Sequence, residues 1–379
     1  MNLIHKTLLV LCLFSLSQLT LATAVEGLYS ATVEVADQSR SQRQQGFSQA
    51  LADVLIKTTG TKDIAARPGV SQALSQASNY MVKYAYLPQS DAGSVDTQAS
   101  SGFLLSVQFA RAAVDELMRT LDLPIWPSNR PQVLVWVVEQ TRSGGYRFVD
   151  TDDLPRRLEE SFQRRGLPYQ LPLYDLDDQL TLNAVAAWSL NQRQLQSAAK
   201  RYGADHWLVL RYSPLSSGEL RGSWYLAGST GDFSGNGALL NTLQAASTNE
   251  FLNISVDQVA DRFAQQMTYF ANVEANLFRL VVDNIGSFAD FTQLDHFLEG
   301  LQIVNGIHVR SIEGDTLVLD LVTEGDSRVL LRALNKEPRL SRVTQMVTTD
   351  VVELPASSSA PSISPPSTSF EHFRWQAAR

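Results

Sequence analysis

Hydrophobic and polar positions divide the chain into three segments and a tail. In the first segment, residues 25–126, positions 28–35 alternate in polarity, which is typical of a half-buried strand. Apolar residues then recur at helical spacing until Gly60, and a short helix, a strand hairpin around the polar loop 89–101 and a last helix follow. The pattern predicts a small α+β domain that ends in a linker at residues 123–126.

The middle segment, residues 130–272, predicts an α/β sandwich of two or three layers. Its first strand, residues 133–138, has no polar interruption, so we expect a central strand that is covered on both faces. A helix that begins at Asp152 or Asp153 follows, and Gly203 ends a later helix. A strand hairpin and a long closing helix complete an alternation of strands and helices that favours layered α/β packing.

The third segment, residues 275–350, has the order β-α-β-β-α-β, with its last strand near 343–347. That order is typical of the ferredoxin-like split unit, and we expect the segment to fold by itself because it carries its own apolar faces. The tail, residues 351–379, is mostly Ser, Pro and Ala between 355 and 369, which predicts a disordered tail. Its aromatic end at 370–375 is either an unselected disordered terminus, which is the more frequent case, or a peptide that docks into a partner's groove.

The N-terminus has the layout of a secretory signal peptide, residues 1–24. An apolar run from Leu8 to Leu21 is followed by Ala22-Thr23-Ala24, a pattern of small residues that predicts cleavage after Ala24. Polar residues interrupt the run, which disfavours a membrane-spanning helix. Cys12 follows a leucine rather than a small residue, which disfavours lipidation. We therefore expect export, and we place the protein in the periplasm.

Charge and cysteine content narrow the range of partners. The full chain has a net charge of −8, and cleavage would remove Lys6 but no acidic residue, leaving 30 basic against 39 acidic side chains. A negative field disfavours nucleic acid and anionic lipid as partners, and we expect no stable membrane insertion. Cys12 is the only cysteine, so the mature chain would have no disulfide, thiolate metal site or thiol nucleophile.

Several short motifs carry a family resemblance. They are Val25–Tyr29, Val33–Val35, Leu123–Trp126, Arg130–Trp136, Leu171–Asp178 and Tyr202–Asp205. With these motifs the chain resembles domain of unknown function family number 2066, a set of exported proteobacterial proteins without an established activity. The Tyr-Gly-Ala-Asp pattern that ends at Asp205 is also similar to periplasmic domains of curli-secretion and Tol-type envelope proteins. That second resemblance implies a role in assembly and contacts, at the level of fold only.

Acidic and histidine residues are the first candidates for sites of chemistry. Asp175, Asp177 and Asp178 are carboxylates of the type that binds Ca²⁺, but the spacing of a calcium loop is absent, so helix capping is the better interpretation. The histidines of the mature chain, His206, His296, His308 and His372, lack metal-ligand spacing. For the two on predicted strands, His206 and His308, we expect hydrogen-bonded structural roles.

Aromatic and glycine-rich stretches complete the candidates. Trp188, Trp207 and Trp224 suit either a ligand surface or the core, and Arg211 and Arg221 either clamp an anion or are solvated. The loop 231–237 lacks the glycines and lysine that a nucleotide-binding loop or a nucleophile elbow requires. The sequence therefore assigns no catalytic, cofactor-binding or metal-binding residue, and no cofactor.

These observations favour an exported, non-enzymatic envelope interaction or assembly factor with a protein partner. One alternative is a periplasmic binding module for a small ligand or glycan, with its site in a cleft between the first two segments. The other is a hydrolase with a carboxylate pair that no motif reveals.

Overall fold

The computed structural model describes residues 27–87, 102–229, 233–271, 276–343 and 369–376. The predicted signal peptide and most of the predicted tail lie outside these ranges. The described residues combine helices with three sheets, which confirms the predicted α/β and α+β class.

The first domain is a three-stranded antiparallel sheet covered on one face by a long helix. Ser39 accepts a hydrogen bond from the Gln42 amide and so caps that helix, and Gly60, with a φ of 70°, ends it. The strand order is β1-β3-β2, which leaves β1 and β2 as the edges. The elements are β1 Ser30–Val35, α1 Arg40–Thr59, α2 Val70–Ser75, β2 Met81–Leu87, β3 Phe103–Phe109 and α3 Arg111–Thr120.

The predicted linker is a buried joint rather than an exposed connection. Leu123, Ile125 and Trp126 are at most 2% exposed. The Ile125 amide donates to the Tyr269 carbonyl at 2.7 Å, and the Tyr269 amide donates back at 3.0 Å. This backbone pair ties the end of the first domain to the end of the middle domain, so the segment packs as part of the core.

The middle domain is a three-layer α/β/α sandwich. In its sheet, β5-β4-β7-β8-β9 are neighbours, β6 also pairs with β4, and β4 runs parallel to β7. The elements are β4 Val133–Gln140, β5 Tyr146–Phe148, α4 Leu154–Arg165, β6 Tyr169–Gln170, α5 Leu176–Thr181, α6 Ala184–Trp188, α7 Gln192–Arg201, β7 His206–Pro214, β8 Leu220–Gly228, β9 Leu239–Ala245 and α8 Thr248–Met267.

Strand β4 explains why there are three layers. Val133, Val135 and Val137 belong to the core beneath α4 and α8, whereas Leu134 and Trp136 belong to the core beneath α6 and α7. Successive side chains of a strand point to opposite faces, so an unbroken apolar run requires a helical layer on each side. The prediction of a strand covered on both faces is confirmed.

The third domain contains the predicted β-α-β-β-α-β order with one addition. Both of its helices pack on the same face of the sheet, where Leu280, Leu294 and Leu334 are fully buried. The sheet order is β11-β12-β10-β14-β13. The elements are β10 Asn276–Asp283, α9 Phe288–Glu299, β11 Val304–Glu313, β12 Thr316–Thr323, α10 Ser327–Lys336, β13 Leu340–Arg342 and β14 Ser369–Trp375.

The added strand corrects the prediction of a disordered tail at 351–379. Residues 369–375 form β14, which pairs in parallel with β10 and antiparallel with β13, and Phe373 and Trp375 are fully buried. The aromatic side chains were too few to fold alone, but two existing strands and a core supply the partners they need. The last strand of the repeat also lies earlier than expected, at 340–342 instead of 343–347, and residues 344–347 are outside the described ranges.

Candidate functional site

The acidic cluster is neutralised by an arginine. Asp175 caps α5 by accepting from the Asp178 amide at 3.1 Å, as the capping interpretation predicted. The Arg201 guanidinium donates to both carboxylates, and it holds the pKa of Asp175 well below its usual range. The Tyr202 hydroxyl donates to Asp178 as well. Asp153, one of the two residues predicted to begin the next helix, directly precedes α4, but its side chain makes no capping hydrogen bond.

The histidines do not come together. His206 packs edge-on against Phe233 and Phe263, with ring centroids 6.0 and 5.3 Å away, and burial followed by the charge of Lys336 lowers its pKa to about 4. Its Nδ1 has no hydrogen-bond partner among the described residues, so aromatic packing replaces the hydrogen-bonded role that we expected. His372 pairs with Asp283 at 2.9 Å. Within the described ranges, no three His, Cys, Asp or Glu side chains form a group that could hold a metal ion.

The three tryptophans do not form a common ligand surface. Trp207 and Trp224 are 4% and 2% exposed and belong to the cores on opposite faces of the middle sheet. Trp188 stacks on Tyr146 with ring centroids 4.7 Å apart, and the Arg211 guanidinium lies 5.6 Å from the Trp188 ring. Arg211 is therefore a packing partner of Trp188 instead of an anion clamp.

Buried arginines occupy the space between the first two domains, where the ligand-binding alternative placed its cleft. Arg165 is fully buried and donates to Asp261 at 2.6 Å, to Asp257 at 3.3 Å and to the Gly60 carbonyl at 3.0 Å. Arg130 lies 3.8 Å over the Trp126 ring. This joint is filled by side chains, and its two aspartates share one arginine, which disfavours an acid–base pair of the kind that hydrolases use.

The free edge of the first sheet is the surface that stands out. Strand β2 pairs with β3 on one side and with no described strand on the other. Its side chains are unusually apolar for an edge: Val82 is 60% exposed, Tyr84 43% and Leu87 41%. Natural proteins normally protect such an edge, because its unpaired amides and carbonyls are a template for another strand.

An aromatic series supports this edge from the side of α1. Phe47 contacts Tyr84, Tyr84 contacts Tyr86, and Tyr86 contacts Phe103, each edge-on, with centroids 5.1, 6.2 and 6.1 Å apart. The Tyr86 hydroxyl has no hydrogen-bond partner among the described residues. Because the rings lock one another in place, the edge is held in a fixed, extended geometry.

A shallow groove of about 510 Å³ lies over the face of the sheet that α1 does not cover, between β2 and the start of β1. Ser106 and Gln108 of β3 lie at its floor, and residues 27–30 and 83–85 line its sides. An added strand would lie on the outer side of β2, away from this floor, so we name only the outer edge of β2 the β2 edge site.

Positive charge flanks the β2 edge site on both faces of its strand. Lys83 is exposed, and the Arg43 guanidinium lies 5.9 Å from the Tyr84 ring. No carboxylate of the described residues lies within 4 Å of either cation, although most arginines in the structure are paired. The opposite edge differs, since the Lys57 ammonium donates to the Ser30 carbonyl of β1 at 2.8 Å.

Sequence reasoning identified the hairpin but missed the site. The sequence predicts a hairpin of strands at residues 80–87 and 103–109, yet nothing local shows that the first strand forms an edge, because that depends on which strands pair. Among the residues that the structure describes, no helix is long and apolar enough to cross a membrane.

Comparisons with known proteins give little functional information. Residues 22–127 match the family described as Domain of unknown function (DUF8605), so the predicted resemblance to family number 2066 is wrong. No curated protein matches the chain. One solved structure, titled "Crystal structure of uncharacterized protein", is 11% identical and aligns with 36% of this chain and 88% of its own, with a TM-score of 0.14, which carries no argument about fold. The chain is thus similar to a family of unknown function over the domain that holds the β2 edge site.

Proposed function

We propose that this protein is an exported, non-enzymatic interaction or assembly factor of the cell envelope, and that it binds an extended segment of a protein partner along the β2 edge site. The single observation that carries the proposal is an unpaired strand edge with exposed apolar and aromatic side chains. Addition of a strand satisfies the backbone groups of such an edge and places alternate side chains into adjoining pockets.

The charges indicate which segment fits. No carboxylate of the residues that the structure describes lies within 4 Å of Lys83 or Arg43, in a chain whose net charge is −8. An extended segment with an acidic side chain near Lys83 and apolar side chains near Val82 and Tyr84 would complement both features. Lys83 also opposes pairing of β2 with β2 of a second copy, since two lysines would then approach each other. The periplasmic location rests on the N-terminal pattern of residues 1–24.

Site-specific photocrosslinking in cells tests the proposal. A photoreactive residue at Val82 or Tyr84 should give a crosslink to one defined protein, whereas the matched positions Thr32 and Glu34 on the opposite edge, β1, should not. Crosslinks of equal pattern from both edges would show that β2 is not a specific site.

The purified partner then tests the charge complementarity. Lys83→Glu reverses the charge and should weaken binding by about tenfold or more. Lys83→Arg preserves the positive charge and should leave the affinity within about threefold. Circular dichroism of each variant controls for folding, since Lys83 is exposed and neither change removes core contacts. Equal affinity of the two variants would contradict an acidic partner segment.

A further inference from the structure

The third domain holds its last strand in an unusual position. In the β-α-β-β-α-β unit, β13 would lie beside β10, but here β14 separates them. Six residue pairs join β14 to β10, and three join it to β13. Removal of β14 would therefore open a slot with two unpaired strand edges in the interior of the sheet.

The contacts of β14 are specific to its sequence. Phe373 and Trp375 are fully buried, and the Trp375 indole Nε1 donates to Asp290 at 3.1 Å. The Arg342 guanidinium donates to both oxygens of Glu371, at 2.9 and 2.7 Å. The slot thus recognises an extended segment with two alternate aromatic residues and an acidic residue before them.

The connection to β14 is much longer than its geometry needs. Val343 at the end of β13 donates to the His372 carbonyl, so a short hairpin turn would suffice, yet residues 344–368 separate the two strands. These 25 residues span as much as about 80 Å when extended. The strand can therefore reach the slot of a neighbouring copy.

From these observations we propose that two copies of this chain exchange β14, each strand filling the slot of the other copy to give a closed dimer. Every contact of β14 is the same in the closed monomer and in the dimer, so only concentration decides between them. Two segments that are joined within one chain by a short flexible linker typically meet at an effective concentration on the order of 1 mM, and we take this value for the exchange. Exchange is then about 1% at 10 µM and becomes comparable with the monomer near 1 mM or where an envelope partner gathers copies together.

Disulfide trapping tests the exchange, because residues 25–379 contain no cysteine and each introduced cysteine can pair only with another introduced one. Ser341 and Arg374 are register partners on β13 and β14. One copy carries Ser341→Cys and the other carries Arg374→Cys, so a covalent dimer of the two forms only when β14 of the second copy occupies the slot of the first. A single chain with both substitutions should close its own disulfide and so confirm the register.

An equal mixture that is refolded at about 1 mM in a redox buffer should give a covalent dimer of the two variants as a major product, and the yield should fall steeply on dilution to about 10 µM. Addition of Phe373→Ser and Trp375→Ser to the donor copy should abolish the dimer. Absence of a dimer at 1 mM, while the doubly substituted chain closes, would overturn the proposal. A dimer that persists without the two aromatic residues would also overturn it.

Discussion

Trp375 should be among the most costly positions of the chain to truncate, although it lies four residues from the C-terminus. The side chain is fully buried, its indole donates to Asp290, and the Arg339 guanidinium lies 4.8 Å over its ring. Replacement of a buried tryptophan by alanine typically costs about 3–5 kcal/mol, from lost burial and the cavity that remains. With a urea dependence near 2 kcal/mol per molar, Trp375→Ala should lower the midpoint of the third domain by about 2 M.

A neighbour on the same strand provides the matched control. Arg374 is exposed, and its replacement by alanine should change stability by at most about 0.5 kcal/mol. Unfolding is best followed by circular dichroism, together with hydrogen exchange of the β10 and β13 amides. Tryptophan fluorescence is unsuitable because the substitution itself removes a fluorescent side chain. If Trp375→Ala and Arg374→Ala shift the midpoint equally, then β14 does not form part of the core and the slot does not exist.

Other outcomes follow from the same structure. A fragment of residues 275–379 should unfold cooperatively, whereas residues 275–350, which lack β14, should give a weakly cooperative species; equal urea transitions would show that β14 is dispensable. Burial opposes ionisation of Glu324, but hydrogen bonds from Arg119 at 2.6 and 2.9 Å outweigh it, so its pKa lies below the ordinary value. A carboxylate whose pKa is lower in the folded state stabilises the fold above the pKa of the unfolded chain, about 4.3, and this stabilisation is lost as the pH falls further. Glu324→Gln should therefore flatten the acid dependence of the unfolding midpoint. The sequence pattern of residues 1–24 predicts that mass spectrometry of the chain isolated from cells finds Val25 as its first residue, and an intact Met1 would exclude the predicted cleavage.

Local sequence patterns were sufficient for elements whose determinants lie close together in the chain. Gly60 ends α1, as the pattern predicted, because a C-terminal cap needs only the adjacent turn of helix. The apolar run of β4 predicted a strand covered on both faces, since alternate side chains must all be buried. Helix capping by Asp175 was likewise visible, because the hydrogen bond spans three residues.

Contacts between distant residues were decided only by the tertiary structure. By itself the aromatic end of the tail has too little apolar surface to fold. In the structure it pairs with two strands, and packs into a core, formed by residues about 30 to 90 positions earlier. The expected linker is buried because Ile125 pairs with Tyr269, and the exposure of β2 depends on the strand order β1-β3-β2. By itself the sequence determined elements whose capping, periodicity and burial are local, such as α1 and β4, but it did not reveal β14. Strand order was decided by the tertiary structure. Every strand offers the same backbone amides and carbonyls for pairing, so the packing of side chains selects which strands become neighbours.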